Sequence, residues 1–98
     1  MTRELSLLVN GTPVSLDYFV QGFMDHTIAG MMEALEGTGR IETLNIAISG
    51  DEVKIMLNNA PVPVNPFVSK IVKNTIAGMV SSLKGIGEPQ TVKINITH

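Results

Sequence analysis

Apolar and polar positions alternate in four short stretches of the chain and recur at helical spacing in two longer ones. Leu5, Leu7 and Val9 are separated by Ser6 and Leu8, and Val53, Ile55 and Leu57 by Lys54 and Met56. Later, Leu44, Ile46 and Ile48 alternate with Thr43, Asn45 and Ala47, as Val92, Ile94 and Ile96 do with Thr91, Lys93 and Asn95. A period of two predicts four strands, each with one face toward a core. Between them, Phe19, Val20, Phe23, Met24, Thr27, Ile28, Met31 and Leu35 follow helical spacing, and so do Phe67, Val68, Ile71, Val72, Ile76, Met79 and Leu83. Asp17 and Asn65 stand at the N-cap positions of these helices, Pro66 suits the first helical residue, and Gly37 and Gly85 are placed to end them.

The segments that follow the first and third strands carry turn chemistry. Asn10-Gly11 and Asn58-Asn59 tolerate positive φ, so a two-residue hairpin is expected at each. Folding back there pairs Leu7 with Val14 and Leu5 with Leu16, then Ile55 with Val62 and Val53 with Val64. Pro13, Pro61 and Pro63 confine such return arms to a sheet edge, because proline has no amide to give a ladder.

The two halves match. Displaced by 48 positions, residues 5–50 align with 53–98 without a gap, and 16 of the 46 pairs are identical. Thr27-Ile28-Ala29-Gly30-Met31 recurs as Thr75-Ile76-Ala77-Gly78-Met79. A period this long, occurring twice, reads as an internal duplication within a single domain, residues 1–98. Strand–helix–strand taken twice, with Ser49-Gly50-Asp51-Glu52 as the joining turn, is the pattern of a ferredoxin-like two-layer α+β sandwich. That fold sets the strands at 5–9 and 53–57 in the centre, those at 42–48 and 90–96 at the edges, and both helices on one face. A doubled β-grasp-like ββαβ unit is the alternative. The apolar arc of each helix exceeds half its circumference, so each needs a neighbour besides the sheet. Gly30 with Ala34, and Gly78 with Ser82, would let the two helices approach closely.

Composition changes this picture in one respect. Charged residues are 16% of the chain, against roughly 25% in ordinary globular proteins, and mean hydropathy is +0.26. So few charges on a small domain suggest apolar surface hidden in a partner, and a homodimer is the expected form. The charges are also divided: residues 1–52 hold two arginines against eight acids, and residues 53–98 hold five lysines against Glu88. On matched helical positions Asp25 and Glu36 coincide with Lys73 and Lys84, which predicts an acidic helix face able to pair with a basic one. Cysteine is absent, no secretory leader is recognisable, and Asp25, His26, Glu33, Lys70 and Lys73 interrupt the apolar stretches. The expectation is a soluble, cytoplasmic chain with no membrane association.

Catalytic and ligand chemistry is sparse. His26 has Asn74 as its counterpart and lacks companion ligands, and His98 is the last residue, so no metal site is expected. Asn10-Gly11-Thr12 is neither a dinucleotide fingerprint nor a P-loop. The paired glycines at 37/39 and 85/87 follow helices, whose carbonyl ends repel phosphate. Val20-Gln21-Gly22 resembles part of the phosphate loop of the acylphosphatases, but Phe23, Met24 and Asp25 stand where that family needs an arginine. The face of the sheet away from the helices is expected to carry polar residues with no aromatic, which argues against nucleic acid. Its exceptions are Leu8 and Met56, with Lys54, Lys93 and Asn45 around them. This group is the candidate partner-contact surface. The functional expectation is a small non-catalytic binding or assembly module with no cofactor. A small-ligand-sensing regulatory domain is the alternative, and an enzyme the remote one.

Overall fold

The computed structural model describes residues 4–36, 41–83, 85 and 89–98. Eight elements follow in order: β1 (Glu4–Val9), β2 (Thr12–Val14), α1 (Tyr18–Glu36), β3 (Thr43–Ser49), β4 (Glu52–Leu57), β5 (Ala60–Pro61), α2 (Pro66–Ser81) and β6 (Thr91–Thr97). The strands form one antiparallel sheet in the order β2-β1-β6-β3-β4-β5. One face of that sheet meets both helices, so the chain is a two-layer α+β sandwich. Leu5, Leu7 and Val9 of β1, the alternate residues of β3, β4 and β6, and Met24, Ile28, Met32, Val72, Ile76 and Val80 of the helices share a single buried cluster.

Both expected hairpins form. Leu7 pairs with Val14 across β1 and β2, and the Val62 amide donates to the Ile55 carbonyl at 2.9 Å beyond the short β4–β5 ladder. Asn10 and Gly11 take φ 51° and 80°, and Asn58 and Asn59 take 51° and 66°, as a tight hairpin of right-twisted strands requires. Pro13 and Pro61 lie in the outermost strands, where no ladder needs their missing amide. Both helix starts are capped as the sequence indicates. The Asp17 carboxylate accepts from the Val20 amide, and the Asn65 side chain from the Val68 amide, each at 2.8 Å. At the other end α2 closes on Ser82, ahead of Gly85, so that glycine is not its terminator. Gly37 lies outside the described residues.

The strand order is not the ferredoxin-like one. β3 and β6 occupy the centre, and β1 and β4 flank them. The reason lies in the hairpins. Each return arm takes one edge of β1 or β4, which leaves those strands a single edge for the rest of the sheet. The strands without return arms, β3 and β6, are the ones free on both sides, and they take the central places. They meet with Ile46 opposite Ile94, positions 48 apart, so an approximate two-fold axis runs through that pair. Because β3 and β6 are antiparallel, the same axis sets α1 and α2 antiparallel on their shared layer.

Each hairpin turn also fastens the neighbouring central strand. The Asn58 side-chain oxygen accepts from the amides of Glu42 and Thr43 at 2.7 and 3.1 Å, and the Asn58 amide donates to the Thr43 carbonyl at 2.7 Å. Asn10 makes the matching set with Gln90 and Thr91: 2.8 and 3.0 Å to its side chain, and 2.8 Å from its own amide to the Thr91 carbonyl.

Candidate contact surfaces

The candidate surface on the open sheet face is rearranged by the strand order. Cross-strand register makes two rows. One runs Pro13, Leu8, Lys93, Ala47, Lys54, and the other Ser6, Asn95, Asn45, Met56, Pro61. Lys93 and Lys54 therefore share a row on either side of Ala47, and Asn45 sits beside Met56. Leu8 and Met56 belong to β1 and β4, three strand spacings or about 14 Å apart, with Lys93 and Asn95 of β6 and Asn45 and Ala47 of β3 between them. The expected apolar pair at the middle of the sheet is thus divided into two separate positions. Leu8 is half-buried and Met56 is 39% exposed. Lys54 is within 3.9 Å of Glu52, with both side chains largely in solvent, where an ion pair contributes little.

The helical charge faces are likewise revised. Asp25 does not lie on a solvated arc; it is buried, at 2% exposed. Lys73 turns to the β3–β4 turn, where its ammonium donates to the Asp51 carboxylate at 2.5 Å. That hydrogen bond and the lysine's charge hold the Asp51 carboxyl below its ordinary value. The Glu36 side chain and Lys84 lie outside the described residues. Gly30, Ala34, Gly78 and Ser82 are all exposed, and a side chain built at either glycine would meet open space, so they do not mediate a close contact between α1 and α2.

The structure brings forward a different surface. Phe19, Phe23, Phe67 and Ile71, expected on the core stripes, are 75%, 56%, 71% and 49% exposed, and Tyr18 beside them is 78% exposed. The chain has three phenylalanines, one tyrosine and no tryptophan, so every aromatic side chain it possesses stands in solvent on the helix layer. Phe19 and Phe23 lie one helical turn apart with ring centroids 6.1 Å from each other. Phe67 and Ile71 are their counterparts on α2. The core they leave is aliphatic and methionine-filled. An apolar arc wider than a flat sheet can cover must leave one flank outside. The sheet takes the Met24–Ile28–Met32 and Val72–Ile76–Val80 flanks, and the Phe19–Phe23 and Phe67–Ile71 flanks remain in solvent. The signal in the sequence was the excess width of that arc.

His26 is exposed on α1, and the described residues contain no group of three His, Cys, Asp or Glu side chains positioned to hold a metal ion. Among those residues no helix is long and apolar enough to cross a membrane. No protein-family model matches the chain, and no curated protein or solved structure matches it either.

Proposed function

We propose that the protein is a small, non-catalytic assembly module that forms a homodimer and uses its helix layer, rather than the open sheet, as the working surface. One observation carries this reading: the whole aromatic content of the chain, with Ile71, is exposed on that layer. Aromatic side chains are the groups a small domain gains most by burying, and they are enriched where proteins meet. An apolar patch of this kind on a monomer marks a contact site. The low charge content agrees with it. The two halves are read as copies of one unit, on the matched turns and the 16 identities, and the absence of cysteine suits a reducing, cytoplasmic setting.

Sedimentation equilibrium across micromolar to millimolar concentrations tests the proposal. The expected mass is twice the 10.5 kDa of one chain. Phe19→Ser with Phe67→Ser should shift the population to monomer, while Leu8→Glu on the open sheet should leave it unchanged. A monomer at every concentration would refute the homodimer; dissociation by Leu8→Glu alone would return the contact to the sheet.

A further inference from the structure

The outward ridge of each helix has the same profile. Two bulky side chains one turn apart, Phe19 and Phe23 or Phe67 and Ile71, are followed along the same face by two small ones, Gly30 and Ala34 or Gly78 and Ser82. The exposed glycines weaken the helix interior, and open space surrounds them, so nothing among the described residues accounts for their smallness. Along an antiparallel helix pair, such a ridge meets its own complement. When positions whose numbers sum to 101 face each other, Phe23 lies over Gly78 and Phe19 over Ser82. The same register puts Ile71 over Gly30 and Phe67 over Ala34. It also brings the middles of α1 and α2 together to within about a residue or two, roughly 3 Å of helix rise or less.

Building on the assembly reading above, we infer that the partner is a second copy of this chain, stacked helix layer on helix layer. In this arrangement α1 of each copy lies antiparallel along α2 of the other. Charge selects the pairing. Glu33 is exposed on α1 and Lys70 on α2, and neither makes an ion pair among the described residues. In the register just given, Glu33 of one copy lies two residues, about 3 Å of rise, from the point opposite Lys70 of the other. Stacking α1 on α1 uses the same bulky-on-small fit, but it sets acidic helix on acidic helix and leaves Lys70 facing another basic helix. Because α1 and α2 run antiparallel within the chain, a single two-fold axis parallel to them creates both contacts at once, as a closed dimer requires. Helices about 28 and 24 Å long and about 10 Å across offer roughly 500 Å² of face per copy, roughly 1,000 Å² in total, which is the lower bound for a specific interface.

The cysteine-free chain makes the test direct. Gly30→Cys and Ile71→Cys variants, one carrying a mass tag, are mixed and gently oxidised. The expected product is a mixed disulfide dimer, formed well ahead of any product from Gly30→Cys alone or from Phe23→Cys mixed with Gly30→Cys. Preference for the Phe23/Gly30 mixture would mean α1 on α1 and overturn the inference, as would equal yields from all mixtures. A charge exchange supplies a second readout without cysteine. Glu33→Lys or Lys70→Glu should each raise the dimer dissociation constant by up to about fivefold, and the double exchange should restore it. No restoration would overturn the assignment of that pair. A chain that stays monomeric refutes the assembly reading itself, whereas a dimer with the wrong cross-links refutes only this arrangement.

Discussion

Asn10 and Asn58 hold the same left-handed backbone conformation, φ 51° in both, and each turns its side-chain oxygen onto two successive amides at the entry of a central strand. Two demands meet at one position. The turn needs a residue that accepts positive φ, and the strand beside it needs an acceptor for the amides at its start.

The demands can be separated by substitution. Asn58→Ala loses both, and about 2 kcal/mol of stability is expected to go with it: about 1 because alanine lacks the short polar side chain that lets asparagine tolerate the left-handed region, and about 1 from the lost hydrogen bonds. Asn58→Gly should recover the first part and Asn58→Asp the second. Urea unfolding of the three variants checks the order. Equal losses for alanine and glycine would remove the backbone argument; an aspartate as damaging as alanine would remove the acceptor argument.

Gly30→Ala and Gly78→Ala test the helix faces as seen by a single chain. Each glycine is exposed inside a helix with open space around it. Alanine there should raise stability by about 0.5–1 kcal/mol per site, by restricting the unfolded chain and favouring the helix. The measurement belongs at high dilution, where association does not contribute. A loss of stability at either site under those conditions would show that the glycine is needed within the chain after all.

Much of the local structure was legible because its causes are local. Asp17 and Asn65 cap the helices, Asn10-Gly11 and Asn58-Asn59 make the turns, and the registers Leu7–Val14 and Ile55–Val62 follow from turn length. Strand order was not local, and two expectations about it were incompatible. Central places for β1 and β4 require both edges of each strand, while return arms at Pro13 and Pro61 consume one. The candidate site at Leu8 and Met56 depended on that order, and the sheet centre it assumed is occupied by Lys93, Asn95, Asn45 and Ala47. Helical periodicity found the apolar arcs but not which flank faces the sheet. For that reason the spacing alone predicts Phe19 and Phe23 in the core and Asp25 on an exposed face, and the fold reverses both.

Ile46 and Ile94 face each other at the sheet centre, 1% and 0% exposed, and their truncation reports on the core that both halves share. Ile94→Ala or Ile46→Ala should cost about 2–5 kcal/mol, a large share of the roughly 5–15 kcal/mol that holds a domain folded. The two single losses should be similar, given their matched surroundings. Leu8→Ser, on the open face, should cost about 1 kcal/mol or less. Denaturant midpoints compared at constant slope would decide it. A Leu8 variant as unstable as the isoleucine variants would mean that the open face carries a core of its own.

The Asp51–Lys73 pair predicts how stability answers to acid. Lys73 lowers the Asp51 carboxyl from its ordinary 3.8 in the folded chain, whereas the unfolded chain keeps that ordinary value. Above it both states are ionised and the pair contributes in full. As pH falls below it, the unfolded chain takes up a proton that the folded chain resists, so the contribution declines and is gone once the folded carboxyl is protonated too. Asp51→Asn removes the pair at every pH. The difference in melting temperature between the wild type and this variant should therefore be constant at neutral pH, shrink below about pH 3.8 and vanish at the acid limit. Added salt should reduce it at neutral pH, because Asp51 is open to solvent. A difference that is flat with pH, or that grows on acidification, would show that this contact does not stabilise the fold through charge.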